Sequence, residues 1–150
     1  IAKVIAEIKP DVVIGPDHKL YPESHPDHLR VGEAVSKAYF MCSNVNMMKS
    51  VGATQIAKPT VLAYYFTGKP NRFVKITKKD FEKTKAAYAC FVSQCPPPDN
   101  GKSLMLYMRL KVRLNGLRSF HIRADAFRVM NNMHIHCCGE AEDTAIRRPL

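Results

Sequence analysis

Six side chains able to ligate a metal or move a proton fall within one short stretch: Asp17, His18, Glu23, His25, Asp27 and His28. The densest part is His25-Pro26-Asp27-His28. Neutral imidazole is a common zinc ligand, and a carboxylate between two imidazoles can orient one ring through its second nitrogen. Pro26 suits the first position of a helix, where its missing N–H costs nothing and its fixed φ is already helical. Asp27 and His28 then fall in the first helical turn. Taken alone, the motif is open between a metal or catalytic role and a solvated loop leading into a helix N-terminus, where Asp27 favours the dipole. Asp17 reads as a loop-structuring carboxylate rather than a ligand, and His18 as solvent-exposed. Tyr21 and Glu23 are candidate substrate contacts.

The elements that must hold this stretch are legible on both sides of it. Ile1, Val4, Ile5 and Ile8 form a helical stripe stopped by Pro10. Val12, Val13 and Ile14 are a β-branched run that suits a strand buried on both faces of a parallel sheet. Gly15-Pro16-Asp17-His18-Lys19 is turn chemistry, so the strand delivers a polar loop at its carboxyl end, where open α/β sheets bind ligands. A helix is predicted over 26–40, with Val31, Ala34, Val35 and Ala38 inward. Residues 41–59 are mixed, with Met47 and Met48 packing over the core.

A second strand follows at 61–66 and a shorter edge strand at 73–76. Thr77 and Asp80 fit a capping box, opening a helix that carries Phe81, Thr84, Tyr88, Phe91 and Val92 on one face and ends near Gln94. Pro96-Pro97-Pro98-Asp99-Asn100-Gly101 reads as a linker. Leu106, Leu110, Leu114 and Leu117 mark a further helix over 104–117, and a last strand is expected at 126–130.

The chain has 150 residues, 46% of them hydrophobic. It has no apolar run near the roughly 20 residues that span a bilayer, and the charge balance, 23 Lys and Arg against 13 Asp and Glu, gives +10. The cations are scattered and no aromatic-interleaved motif accompanies them. A solvated basic surface is therefore favoured over a nucleic-acid footprint, and neither nucleic acid nor membrane is expected as a partner. Five cysteines follow no framework spacing, which fits a reducing cytoplasm. His134, His136, Cys137 and Cys138 lie too close together to close a tetrahedral site by themselves, and 131–150 read as a frayed, partly disordered tail.

Together, the segment 11–17, the run His25-Pro26-Asp27-His28-Leu29-Arg30-Val31-Gly32-Glu33-Ala34-Val35, and the helix from Phe81 through Tyr88 to Ser93-Gln94 resemble the LmbE-like (PIG-L) zinc-dependent N-acetylglucosaminyl deacetylases. Ala124-Asp125-Ala126-Phe127-Arg128 is weakly similar as well. The resemblance implies an α/β, Rossmann-like, mostly parallel sheet flanked by helices, with 1–130 forming the carboxy-terminal part of a deacetylase domain. It implies Zn2+ as cofactor, His28 as a metal ligand, His25 as the group that stabilises the oxyanion or protonates the leaving amine, and Asp27 as the group that holds His25. The partner implied is a small-molecule N-acetylated amino-sugar substrate, and a homo-oligomer is compatible with it.

The family's Ala-His-Pro-Asp-Asp-Glu motif, which supplies the other ligands and the general base, does not occur here. The chain therefore reads as part of a longer protein, with its first βα units missing, a sheet edge and a helix face left open, and no activity of its own.

Overall fold

The apolar runs form strands and the periodic stretches form helices in a computed structural model, which describes residues 1–20 and 24–131. In chain order the elements are α1 (Ala2–Ile8), β1 (Val12–Pro16), α2 (Pro26–Met41), α3 (Val45–Ser50), β2 (Val61–Tyr65), β3 (Arg72–Lys75), α4 (Lys78–Ala89), a single 3-10 turn (Val92–Gln94), α5 (Lys102–Arg118) and β4 (Ala124–Met130). The strands make one sheet in the order β1-β2-β4-β3. This is the α/β sheet flanked by helices that the sequence implies. β1 and β2 run parallel, in the register Val12 to Val61 through Pro16 to Tyr65, with α2 and α3 as the crossover. β4 lies antiparallel to β2. Among the described residues no helix is long and apolar enough to cross a membrane. Cys42, Cys90 and Cys95 are free thiols.

The chain divides into two compact units, Ile1–Arg72 with the segment from Phe127 onward, and Phe73–Ala126. The core of the first unit gathers Ile5 and Ala6 from α1, Val13 from β1, Tyr39 from α2, and Leu62 and Tyr64 from β2. Tyr39 is wholly buried, and its hydroxyl donates to the Pro59 carbonyl at 3.1 Å. Burial pushes the phenol up to about 12. Tyr39→Phe leaves that carbonyl without its donor and should cost about 1 kcal/mol, read as a lower urea midpoint with an unchanged m-value.

The expectations for α1 and β1 are corrected. The α1 stripe is not the buried edge: Ile5 and Ala6 are buried, whereas Ile1, Val4 and Ile8 are exposed. The helix approaches its neighbours on the side of the small Ala2 and Ala6. Nor is β1 covered on both faces, since Val13 is buried while Val12 and Ile14 are 47% and 58% exposed. β1 is an edge strand, and its β-branched residues alternate in burial because no layer among the described residues covers the second face.

In the second unit the capping box forms as expected. Thr77 Oγ1 accepts from the Asp80 N–H at 3.2 Å, and Asp80 Oδ2 accepts from the Thr77 N–H at 3.0 Å. α4 ends at Ala89 rather than near Gln94, so Phe91 and Val92 fall at the 3-10 turn and are exposed. The stretch from Pro96 to Gly101 joins that turn to α5 within the unit. α5 presents a different face from the one its leucines predict. Leu106, Leu110, Leu114 and Leu117 are exposed, and Val112, Asn115 and Gly116 are buried. Gly116 explains this: a Cβ there would lie 2.6 Å from the His121 carbonyl oxygen and 2.8 Å from the Arg123 nitrogen. The returning chain packs against the glycine, and the leucine ridge is left on the opposite side.

Candidate functional site

α2 begins where the sequence places it. His25 is the N-cap with an extended backbone, Pro26 follows as the first helical residue, and Asp27 lies in the first turn. The His25 Nδ1 accepts from the Asp27 main-chain N–H at 3.3 Å. The rings of His25 and His28 stack, with centroids 4.6 Å apart and planes 25° from parallel. Both side chains are exposed.

Helical spacing explains why these rings meet and where they stand. His25, His28, Gly32, Val35 and Tyr39 follow one another at intervals of three and four and so share one face. Gly32, Val35 and Tyr39 are the buried part of that face. A Cβ on Gly32 would lie 2.5 Å from the Pro16 carbonyl oxygen and 2.9 Å from the His18 Cβ. Val35 makes the matching contact one turn later, its Cγ1 lying 2.9 Å from where a Cβ on Gly15 would be. The two glycines therefore let α2 rest directly on the end of β1. One turn before Gly32, His28 continues the sheet-facing stripe past Pro16, the last residue of β1. The stripe predicted from Val31 and Ala34 is corrected accordingly, as both are exposed.

Beneath this rim lies a buried charged pair. Arg128 donates through Nε to Asp17 Oδ2 at 2.9 Å and through a terminal nitrogen to Oδ1 at 2.5 Å. Both side chains are 3% exposed. The Lys19 N–H adds a bond to Asp17 Oδ1 at 3.0 Å, and the Asp17 N–H donates to the Tyr65 carbonyl at 3.0 Å, tying the loop to the end of β2. Burial pushes the Asp17 carboxyl upward, but its hydrogen bonds from Arg128 and Thr67 and the Arg128 charge outweigh that and hold it below the ordinary range. The guanidinium also sits 4.7 Å from the centre of the Tyr64 ring, a cation–π contact.

The sequence reading of Asp17 as a structural carboxylate holds, whereas that of His18 as solvent-exposed does not. His18 is half-buried, edge-on to Tyr64 at 5.6 Å. Its Nδ1 is buried without a hydrogen-bond partner among the described residues. Burial is the main cause that lowers the pKa of this imidazole, favouring the neutral ring. His18 is held on two sides, its Cβ and main-chain nitrogen close against Gly32 and its ring against that of Tyr64.

Sequence reasoning missed Arg128 and Gly32. In the structure β4 alternates in burial, and Ala124, Ala126, Arg128 and Met130 share the inward parity, whereas in the sequence Phe127 and Val129 offer the opposite parity equally well. An arginine in that register requires an inward carboxylate. Tyr21, Glu23, His134, His136, Cys137 and Cys138 lie outside the described residues, as does the tail beyond Asn131.

The donor set fits a metal in kind but not in number. An exposed imidazole on a helix start is a sound zinc ligand, yet among the described residues no group of three or more His, Cys, Asp or Glu side chains converges closely enough to hold an ion. A metal bound through His28 needs further donors from outside them.

No family model matches the chain. It is similar to the diacetylchitobiose deacetylase of Thermococcus kodakarensis, with 31% identity over 142 residues, which are 92% of this chain and 52% of that protein. Its fold is similar to that of the N,N'-diacetylchitobiose deacetylase from Pyrococcus horikoshii, solved in complex with its inhibitor MPG. The TM-score is 0.80 at 27% identity, again over 92% of this chain and 52% of the other. The chain spans about half the length of these relatives. This identity, this fold and the His-Pro-Asp-His helix start held at the end of a parallel strand pair agree with the resemblance of the chain to the LmbE-like (PIG-L) deacetylases.

Proposed function

We propose that the chain supplies one wall of a zinc-dependent deacetylase site, in a protein that removes the N-acetyl group from an N-acetylglucosamine-type conjugate. The observation that carries this reading is the stripe that buries Gly32, Val35 and Tyr39 and then leaves His25 and His28 stacked beyond the end of β1. The relatives' names, both diacetylchitobiose deacetylases, support the substrate class. Zinc at such a site polarises an amide carbonyl and makes water acidic enough to attack near neutral pH.

His28 contributes one imidazole nitrogen to the ion, the other protein ligands coming from outside the described residues. His25 has a separate task. A neutral ring that accepts at Nδ1 carries its proton on Nε2. It is therefore set to donate to the oxyanion that develops on the acetamide, or to the departing amine. Asp27 fixes that ring through its main-chain N–H rather than its carboxylate. Acetate and a free amine are the products.

The reading makes two demands on experiment. The chain by itself should bind zinc more weakly than micromolar in calorimetric titration, since one imidazole is not a site. Combined with the rest of a full-length deacetylase domain, it should release acetate from N,N'-diacetylchitobiose in a chelator-sensitive manner that His28→Ala abolishes. Submicromolar zinc binding by the chain alone, or acetate release that survives His28→Ala, would refute the assignment.

A further inference from the structure

The second unit contains a concavity that the deacetylase reading does not use. A cavity of about 190 Å³ is bounded by α4, α5 and the approach to β4. Its rim carries four cations: Lys78 at the start of α4, Arg109 and Arg113 one turn apart on α5, and Arg123 just before β4. Phe81 and Val112, both buried, contribute its apolar lining. Glu82 is the one carboxylate in the lining. The nearby Asp80 is occupied by the capping box, its Oδ2 accepting from both the N–H and the hydroxyl of Thr77.

We propose that this cavity binds a compact phosphate, either a phosphate monoester or a diphosphate. Four flexible cations on a protein surface ordinarily splay apart into water or pair with carboxylates. Here, among the described residues, none of the four side chains makes an ion pair or a hydrogen bond. Charges of one sign around a low-dielectric floor focus their field into the concavity and draw in the opposite sign. Guanidinium forks match phosphate oxygens in geometry as well as in charge.

Size narrows the ligand. The cavity is smaller than the roughly 300–1,000 Å³ of pockets that enclose a drug-sized molecule, so it admits a phosphate group and the first atoms of its stem. Shape argues against a nucleic-acid strand, which needs a basic track with stacking platforms rather than a ring of cations around a hollow. The ligand chemistry is shared by free phosphates and phosphorylated sugars, and the apolar lining beside the rim suits an organic stem.

Calorimetric titration of the 150-residue chain with pyrophosphate, inorganic phosphate and a sugar monophosphate tests this, in low-salt buffer and with added salt. Saturable one-to-one binding is expected for at least one of them. The double variant Arg109→Ala with Arg113→Ala should weaken it about tenfold or more. Removing two cations outside the cavity, with Lys83→Ala and Lys85→Ala, should leave it within about twofold. Arg113→Lys keeps the charge and loses the fork, and should give an intermediate loss, which guards against a folding defect in the double variant.

Tighter binding of the sugar monophosphate than of inorganic phosphate assigns the stem to the Phe81 and Val112 lining. Equal binding assigns the site to free phosphate, and both results uphold the proposal. No saturable heat up to about 5 mM ligand, or equal weakening by the two lysine substitutions, overturns it. So does capture of single-stranded RNA or anionic vesicles that is unaffected by the arginine double variant, in the absence of saturable phosphate binding.

Discussion

Arg128→Met is expected to destabilise the first unit by about 3–5 kcal/mol, because it leaves the Asp17 carboxylate buried without its partner. Methionine roughly preserves the side-chain volume, so the loss is one of charge and hydrogen bonding rather than of packing. The two bonds at 2.9 and 2.5 Å and the contact with Tyr64 all disappear together. Combining Arg128→Met with Asp17→Asn removes the stranded charge and should recover part of the loss. The resulting coupling, about 1–3 kcal/mol in a double-mutant cycle, measures the pair itself.

The pH dependence gives an independent reading of the same interaction. The folded-state pKa of Asp17 lies below its ordinary value of 3.8, so its contribution to stability is present above that pH and is lost as pH falls through the folded value. In Arg128→Met the sign reverses. Burial, the largest cause, is then opposed only by the bonds from Thr67 and the Lys19 N–H, so the carboxyl should rise, and the variant's deficit should grow as pH rises through 3.8 and shrink in acid. Urea titrations of both proteins between about pH 3 and 7 should diverge with increasing pH. Parallel curves would mean that Asp17 is solvated and that the pair adds nothing.

That pair also marks where the sequence ceased to be legible. Local signals located most elements closely: Pro26 and the histidine before it opened α2, Thr77 and Asp80 opened α4, and the β-branched runs became β1 and β2. These are interactions between residues near in the chain, and spacing encodes them. What spacing does not encode is which side of an amphipathic element meets its neighbour when a glycine makes the contact. In α2 the inward stripe runs through Gly32, and in α5 through Gly116. Reading hydrophobicity alone therefore rotated both faces, towards Val31 and towards the leucine ridge. Asp17 and Arg128 stand at opposite ends of the chain, and in sequence β4 reads equally well with either parity, so spacing offers no hint of their meeting. Of the candidate site, the positions of His25, Asp27 and His28 at a helix start beyond a strand end were readable. The stacking of the rings and the main-chain hold on His25 depend on rotamers that the sequence does not display.

Gly32→Ala tests the contact on which the placement of both histidines depends. On an exposed helix, alanine would stabilise by about 1 kcal/mol relative to glycine. Here the new methyl would stand 2.5 Å from the Pro16 carbonyl oxygen and 2.9 Å from the His18 Cβ, and the first of these is backbone that cannot rotate aside. α2 must lift away from β1, so the intrinsic gain is expected to be overwhelmed by an overpacking cost of about 1–3 kcal/mol or more. Gly68 provides the contrast. A Cβ there would meet Leu20 Cδ1 at an ordinary 3.5 Å, and Gly68→Ala should change stability by no more than about 0.5 kcal/mol. The imidazole resonances report the functional consequence. Lifting α2 moves Gly32 away from His18 and tilts the turn bearing His25 and His28, so the His18 and His28 signals should both shift in Gly32→Ala and stay in place in Gly68→Ala. Equal stability in the two variants, with unmoved histidine signals, would show that the start of α2 is not seated on the end of β1, and the geometry assigned to His28 would fall with it.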